Sequence, residues 1–152
     1  MRAFVQRVRH AGVRVDDEVT GSIDHGMLVL LGVRQGDTTA EADWLCAKLA
    51  KLRIFADEAG KFNRSLTDVG GGILLVSQFT LYADTARSGN RPSFSAAAHP
   101  DLALELYEYM RDSLRAMGLK VECGRFGASM QVDLCNDGPV SLMLEREAEP
   151  SA

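Results

Sequence analysis

The sequence predicts a single α+β domain, because many short strand-like stretches surround two helix-like ones. Strands and helices do not alternate regularly, as they would in a doubly wound parallel sheet. With 152 residues, 46% of them hydrophobic, the chain is long enough for one buried core and too short to suggest two. We therefore predict one domain over residues 1–145 and a disordered acidic tail over residues 146–152.

The first third of the chain alternates apolar and polar residues, as in Val13-Arg14-Val15. This pattern predicts short antiparallel strands, with turns at Gly12, Gly21 and Gly26. Residues 27–31 are all apolar, so they predict a central strand that is covered on both faces.

Two stretches have the three-and-four spacing of apolar residues that is typical of helices. The first helix is predicted over residues 39–52, with Asp37 and Thr38 suited to cap it. The second is predicted to begin at Pro100 and to stop at Gly118. Its buried face is expected to consist of Leu102, Leu106, Tyr109, Met110 and Leu114.

The middle and last parts of the chain complete the prediction. Residues 57–61 predict a turn between two short extended pieces, and residues 73–76 predict a second buried strand that runs into Ser77. Near the end, two alternating stretches predict two strands joined by a turn at Gly138-Pro139. About one X-Pro bond in twenty is cis in folded proteins, so the sequence favours a trans bond there without excluding a cis bond.

The net charge of −4 argues against a protein that holds nucleic acid through a broad basic surface. Four arginines precede the first acidic residue, and they form either a local basic surface or the solvated side of an edge strand; they are Arg2, Arg7, Arg9 and Arg14. No apolar stretch is long enough to cross a bilayer, and charge interrupts the N-terminus too early for a signal peptide. These features predict a soluble, cytoplasmic protein.

Metal and disulfide sites are not indicated by the cysteines and histidines. Cys46, Cys123 and Cys135 are odd in number and widely spaced, and the histidines are scattered. We expect three reduced, mostly buried thiols, and neither a metal nor a cofactor.

Familiar catalytic motifs are missing from the sequence, including the GxSxG elbow, the phosphate-binding loop and HExxH. Ser77 and Thr80 are hydroxyls at the end of a buried strand, but neither has a base nearby in sequence to activate it. They are either nucleophiles served by a distant base or polar caps of a strand end. Arg91, before a proline, is either aimed at a phosphate or carboxylate or is an exposed loop charge.

Four separated motifs occur in an order that resembles the D-aminoacyl-tRNA deacylase family, also called D-tyrosyl-tRNA deacylase. They are Ser-Gln-Phe-Thr-Leu (77–81), Asn-Arg-Pro-Ser-Phe (90–94), Gly-Arg-Phe-Gly-Ala (124–128) with Met130, and Asn-Asp-Gly-Pro-Val (136–140). The family usually continues the last motif with threonine, where this chain has Ser141. Serine keeps the hydroxyl group, so we expect activity to survive this change.

The resemblance implies a barrel-like β-rich core with two main helices packed outside, in β/β/α layers. It also implies a homodimer with active sites at the interface and aminoacyl-tRNA as the substrate. Ser77, Gln78, Phe79 and Thr80 would be the catalytic residues. Substrate binding and chiral rejection would fall to a second group, namely Gly138, Pro139, Arg7, Asn136, Met130 and Phe126.

The resemblance further implies that the enzyme hydrolyses the ester of D-aminoacyl-tRNA, and that of glycine wrongly attached to tRNA. A cis Gly138-Pro139 peptide from the partner subunit would reject L-amino acids, and Arg7 would hold that dipeptide in place. Backbone N–H groups of Phe79 and Thr80 would stabilise the oxyanion. Two alternatives stay open, namely a binding module for the tRNA 3′ end without turnover and a covalent hydrolase that uses Thr80.

Overall fold

The computed structural model describes residues 1–87 and 89–149 of the chain. Its strands are β1 (Arg2–Val15), β2 (Glu18–Ile23), β3 (Gly26–Gly32), β4 (Phe55–Ala56), β5 (Phe62–Arg64), β6 (Gly72–Ser77), β7 (Lys120–Cys123) and β8 (Gln131–Glu145). Its helices are α1 (Thr39–Lys51), α2 (Leu66–Val69) and α3 (Pro100–Ala116), and a 3₁₀ turn covers Phe79–Tyr82.

Six of the strands form one mixed sheet in the order β2-β1-β3-β6-β7, and β8 also pairs with β1. The sheet curls into a nearly closed barrel in which β2 approaches β7. The approach is so close that a Cβ atom on Gly21 would lie 2.5 Å from the carbonyl oxygen of Cys123, which explains the glycine there. The predicted α+β class, with a barrel-like core and two main helices outside, is confirmed.

The strand β3 is the hub of this arrangement, because it lies between β1 and β6 and is buried on both faces. Met27 and Val29 face the helices, whereas Leu28 faces the inside of the barrel with Leu74 and Val76 of β6. The predictions of buried strands at residues 27–31 and 73–76 are thus confirmed. The pairs β3–β6 and β6–β7 are parallel, a feature that the sequence pattern did not predict.

The prediction for the first third of the chain needs correction, because β1 is one long strand that passes through Gly12. Gly21 also lies inside a strand, and the turn falls instead at Asp16 and Asp17, which have φ values of +49° and +65°. Two consecutive residues with positive φ are typical of a tight hairpin turn, where aspartate is tolerated. Glycine is a common turn signal, and at Gly12 it instead lies within the strand.

The predicted turn at Gly138-Pro139 is also wrong, because both residues lie within the single strand β8. Before and after the dipeptide, β8 pairs with β1 in the same antiparallel direction. The register shifts around Arg7, where the chain of β8 bulges away from β1. Glycine followed by proline is a common turn signal, and here it marks a bulge.

Both main helices begin where the sequence predicts. Thr38 caps α1, and its hydroxyl accepts a hydrogen bond of 3.2 Å from the N–H of Ala40. The helix α3 begins at Pro100 and gives way at Met117 to Gly118, which has a φ of +83°. The predicted buried face is right for Leu106, Met110 and Leu114, whereas Leu102 and Tyr109 are only half-buried and Tyr107 is buried instead.

The four N-terminal arginines do not form an unpaired basic surface. Arg2 pairs with Glu145, Arg14 pairs with Asp133, and Arg7 and Arg9 both approach Asp137. All three carboxylates belong to β8, the antiparallel neighbour of β1. The alternative of arginines on an edge strand also fails, since β1 lies inside the sheet.

The C-terminal segment keeps contact with the domain through Arg146 and Glu147. The backbone N–H of Arg146 donates to the carbonyl oxygen of Met1 at 3.0 Å, and Glu147 pairs with Arg34. The domain boundary at residue 145 and the disorder beyond it stay predictions, and residues 150–152 of the tail lie outside the described residues.

The three cysteines of the chain differ in burial. Cys46 is buried, whereas Cys123 and Cys135 are half-buried, and all three are free. Burial raises the pKa of the Cys46 thiol to about 12, so that group is unreactive at neutral pH.

None of the helices in the described part of the chain has the length and apolarity needed to span a membrane.

Candidate active site

A pocket of about 620 Å³ opens where β6 ends and the 3₁₀ turn begins. Its walls come from β6 and the turn, from the segment between Phe94 and Ala103, and from the segment between Phe126 and Val132. Most of the lining is apolar. Ser77 and Gln78 supply the polar side chains, and no ionisable side chain lines the pocket within the described residues.

The sequence places these polar groups by ending a buried strand abruptly. The strand β6 is buried up to Val76, Ser77 and Gln78 are half-buried, and Phe79 and Thr80 are exposed. The N–H of Gln78 still donates to the carbonyl oxygen of Leu31 at 2.8 Å, which continues the pairing with β3. Beyond that bond the chain turns, so the next N–H groups leave the sheet.

The backbone N–H groups of Phe79 and Thr80 are free to bind a ligand. They are the first N–H groups of a 3₁₀ turn, which have no partner within the turn. Over residues 1–87 and 89–149, neither group donates to any other protein atom. The hydroxyl of Thr80 is engaged differently, since it accepts a hydrogen bond from the side-chain amide of Gln78.

Aromatic rings shape two sides of this pocket. The rings of Phe79 and Phe94 meet edge to face with 5.1 Å between centroids, although 56% of Phe79 is exposed. Opposite, Phe126 lies 5.9 Å from the ring of Tyr107, which is buried. Such pairs contribute about 0.5–1.5 kcal/mol beyond the area they bury. The pocket is therefore an apolar cleft with fixed walls and a polar edge.

A second cluster of predicted site residues surrounds the bulge of β8. The guanidinium of Arg7 donates through Nε to the carbonyl oxygen of Asp137 at 2.8 Å and through NH1 to the carbonyl oxygen of Ile54 at 2.6 Å. The Gly138-Pro139 peptide bond is cis, and both residues are exposed. Arg7 thus ties the bulge to the segment before β4.

Asn136 closes the bulge from within β8. Its side-chain oxygen accepts from the N–H of Val140 at 2.7 Å, and its side-chain nitrogen donates to the hydroxyl of Ser141 at 3.0 Å. Glycine is required at position 138, because its φ is +151° and a Cβ atom there would lie 2.7 Å from the side chain of Val140. The hydroxyl of Ser141 is thus part of the network that closes the bulge.

The predicted site residues therefore fall into two groups within one chain. Ser77, Gln78 and Phe79 line the pocket together with Phe126 and Met130. Thr80 lies beside them without lining the pocket. The remaining four surround the bulge and do not line the pocket of their own chain, namely Arg7, Asn136, Gly138 and Pro139.

Three contributors to these clusters carried no predicted role. Phe94 lies inside a quoted motif, but its ring pairs with Phe79 only in the folded chain. Tyr107 follows Ala103 by four residues and precedes Met110 by three, a spacing that could have revealed its burial. Phe62, whose ring lies over Arg7, has no sequence signal.

Arg91 is an exposed loop residue and lines no described pocket.

Within the described residues, no group of three histidine, cysteine or acidic side chains could hold a metal ion. Burial raises the pKa of the Tyr107 hydroxyl, so it stays protonated and acts as a donor. The described pocket of this chain therefore offers a substrate hydrogen-bonding groups at its edge and apolar walls.

Comparison with known proteins gives one consistent family. The model of the family described as D-Tyr-tRNA(Tyr) deacylase matches residues 4–145. A D-aminoacyl-tRNA deacylase of Geobacillus sp. (strain WCH70) is 57% identical over 145 residues, which cover 95% of each chain. Another of that name, from Roseiflexus sp. (strain RS-1), is 59% identical and covers 95% of this chain and 93% of its own.

Two solved structures share the architecture. One, titled c-Myc DNA Unwinding Element Binding Protein, has a TM-score of 0.89 at 41% identity and covers 97% of this chain and 100% of its own. The other, titled a probable eukaryotic D-amino acid tRNA deacylase, has a TM-score of 0.81 at 17% identity, covers 94% and 97%, and shows the fold alone. With the family model matched over residues 4–145, the chain belongs to the D-Tyr-tRNA(Tyr) deacylase family.

Proposed function

We propose that the protein hydrolyses the ester bond of D-aminoacyl-tRNA and releases the free D-amino acid and tRNA. The observation that carries this proposal is the apolar pocket whose polar edge holds the free N–H groups of Phe79 and Thr80. The activity named for relatives at 57% and 59% identity supports the same reaction. Charged tRNA is a cytoplasmic substrate, so we place the reaction in the cytoplasm.

Backbone groups supply the catalysis in this proposal. An aminoacyl ester is already reactive, so stabilising the developing oxyanion is sufficient help. One well-placed N–H donor contributes roughly 10²–10³ in rate. The N–H groups of Phe79 and Thr80 take this role, the side chains of Ser77 and Gln78 orient the ester, and the ribose 2′-hydroxyl of the substrate helps to activate water. Neither a metal nor a cofactor takes part.

Rejection of L-amino acids is assigned to Gly138 and Pro139 of the partner subunit. Apolar contacts distinguish ligands that differ by a small group by only about 1–3 kcal/mol, too little to spare abundant L-aminoacyl-tRNA. A backbone wall that clashes with every L side chain discriminates more strongly and leaves D side chains room. Glycine has no side chain, so it passes this wall and is also released from tRNA.

The separation of the two clusters supports our proposal of a homodimer. The bulge does not line the pocket of its own chain, so the wall must come from a second copy if both clusters serve one site. Exposed apolar side chains suit such an interface, and 36% of Leu134 and 44% of Met143, both on β8, are exposed. Met130, Phe126 and Asn136 complete the proposed substrate contacts.

The first experiment compares D-tyrosyl-, L-tyrosyl- and glycyl-tRNA as substrates under multiple-turnover conditions. Rapid release of D-tyrosine and glycine, with L-tyrosine at the uncatalysed rate, is the expected result. Equal cleavage of both tyrosyl esters would disprove the chiral wall. Binding without turnover would instead favour the alternative of a tRNA 3′-end module.

A heterodimer tests whether the wall acts across the interface. Gly138→Ala distorts the wall and should permit L-cleavage, whereas Phe79→Pro removes an oxyanion donor and should lower the rate by about 10²–10³. Heterodimers purified with two tags contain one complete pocket. If that pocket receives the intact wall of its partner, it cleaves the D ester and spares the L ester; cleavage of the L ester would place the wall in the same subunit.

A further inference from the structure

The hairpin of β4 and β5 presents an aromatic ring to the bulge of β8. The ring centroid of Phe62 lies 5.4 Å from the guanidinium carbon of Arg7. Phe62 is 54% exposed, and the other two residues of β5, Asn63 and Arg64, are exposed and polar. A half-exposed phenylalanine on a polar strand does not fill a core, so its contact with Arg7 is the feature to explain.

The hairpin holds this ring on a braced frame. Phe55 of β4 is 1% exposed and anchors the hairpin in the core. Asp57 accepts hydrogen bonds of 2.9 Å from the N–H groups of Ala59 and Lys61, and Arg53 donates to the carbonyl oxygen of Asn63 at 3.0 Å. The ring therefore sits on a fixed element rather than on a loose loop.

Arg7 lies between this hairpin and the bulge. It donates to the carbonyl oxygen of Ile54, immediately before β4, and to that of Asp137 in β8. Only 11% of its side chain is exposed. Its NH2 group would lie 3.4 Å from a Cβ atom on Gly138, so the guanidinium lies directly beside the dipeptide.

We propose that Phe62 is a positioning residue for the chiral wall, and that its ring holds Arg7 against Asp137 and Gly138. This inference rests on the proposed function, because it assigns the hairpin to the part of the enzyme that rejects L-amino acids. The ring attracts the cation and keeps water from the Arg7–Asp137 hydrogen bond. Without the ring, Arg7 gains freedom and the wall tolerates an L side chain.

The test measures kcat/KM for D-tyrosyl- and L-tyrosyl-tRNA with wild type, Phe62→Ala and Phe62→Tyr. Phe62→Ala should raise the L-to-D ratio about fivefold, the equivalent of a cation–π contact of about 1 kcal/mol. Phe62→Tyr, which keeps the ring, should restore the wild-type ratio. Slow L-cleavage is measured with enzyme in excess over tRNA.

A matched control is Met117→Ala, because Met117 is also half-exposed and follows α3, away from the bulge. An unchanged ratio in Phe62→Ala, or an equal rise in Met117→Ala, would overturn the inference. If Phe62→Ala fails to fold, Phe62→Leu serves for the same comparison and should also raise the ratio. In an Arg7→Met background, which has no cation for the ring to attract, Phe62→Ala should have no further effect; an additive effect would show that Phe62 does not act through Arg7.

The outcome for the wild type separates the two proposals. If wild type does not discriminate between D and L esters, the proposed function itself fails. If wild type discriminates and Phe62→Ala discriminates equally well, only the role of Phe62 fails.

Discussion

The hydroxyl of Tyr107 donates a 2.7 Å hydrogen bond to the carbonyl oxygen of Leu75 inside the core. The same oxygen accepts a bond of 3.2 Å from the N–H of Gly124. A single backbone atom of β6 thus joins the helix α3 to the segment that carries Phe126, two residues before the strand reaches Ser77. Two of the elements around the pocket are therefore held to β6 at the same atom.

Tyr107→Phe removes one of these two bonds and should lower the free energy of unfolding by about 1 kcal/mol, because the carbonyl oxygen keeps its second donor. Chemical denaturation at a fixed protein concentration measures the loss, since the stability of the proposed dimer would depend on concentration. Tyr109→Phe is the control. Its hydroxyl donates to Asp43 at an exposed site, so the effect should be smaller. Equal losses would contradict the role given to the buried bond.

Phe79→Ala should retain much of the activity towards D-tyrosyl-tRNA, because the proposed mechanism uses only the backbone of residue 79. Phe79→Pro loses the same ring and also the N–H, and should lower kcat by about 10²–10³. Proline is tolerated at the first position of a helical turn, so the fold should survive. Single-turnover kinetics measure both variants. Near-total loss in a folded Phe79→Ala would contradict the assignment to the backbone.

Thr80→Val removes a hydroxyl while keeping the shape of the side chain. If Thr80 is no nucleophile, kcat should fall by less than about tenfold, the effect of losing one hydrogen bond with Gln78. Complete loss, together with an acyl-enzyme trapped from wild type and seen by mass spectrometry, would favour the covalent alternative. For Ser77→Ala a small decrease in kcat is likewise expected, and complete loss with a trapped acyl-enzyme would favour Ser77 as the nucleophile.

Arg7→Lys replaces a forked group with a single ammonium. Lysine cannot reach the carbonyl oxygens of Ile54 and Asp137 with the same geometry, so it should permit detectable cleavage of L-tyrosyl-tRNA. The ratio of kcat/KM for the two tyrosyl esters measures the change. Arg14→Lys, an exposed pair with Asp133, should leave the ratio as in wild type.

Glu41→Gln tests the cap of α1 as a function of pH. Burial raises the pKa of Glu41, but the hydrogen bonds from Thr38 outweigh burial, so the pKa lies below its ordinary value. The ionised carboxylate therefore stabilises the fold above the unfolded pKa, and the stabilisation is lost as pH falls through the folded pKa. At pH 7 the variant should be less stable by about 1 kcal/mol.

Denaturation curves from pH 7 down to about pH 3 should show the difference closing, since the unfolded pKa is near 4.3. Glu58→Gln is the control, because Glu58 is exposed and its contact with Arg64 is 3.8 Å long. A difference that stays constant with pH would show that shape, and not charge, explains the cap.

Local patterns predicted the fold well wherever burial alone decides it. All-apolar residues 27–31 became β3, and Thr38 and Pro100 mark the starts of the two main helices. The parallel pairing of β3 with β6 could not be predicted, because it depends on how four intervening elements pack. The length of β1 was also missed, because Gly12, which lies within an alternating stretch, was interpreted as a turn.

The candidate site was predictable only in part, for a physical reason. Residues 77–79 are consecutive, so one motif identified the polar edge of the pocket. Phe62 and Arg7 are far apart in the chain, and their contact exists only because the hairpin folds over β1. A bulge within β8 has the same local composition as a turn, so Gly138 and Pro139 were assigned to a turn.

The continuity of β8 has a mechanical consequence. A selectivity element on a surface loop can move, and its accuracy then depends on closure around each substrate. The dipeptide of this chain is built into the barrel wall, with β1 paired on both sides of it. Selection against the wrong hand would then be as rigid as the scaffold itself, and redesign of the accepted amino acids should begin at the pocket walls rather than at the bulge.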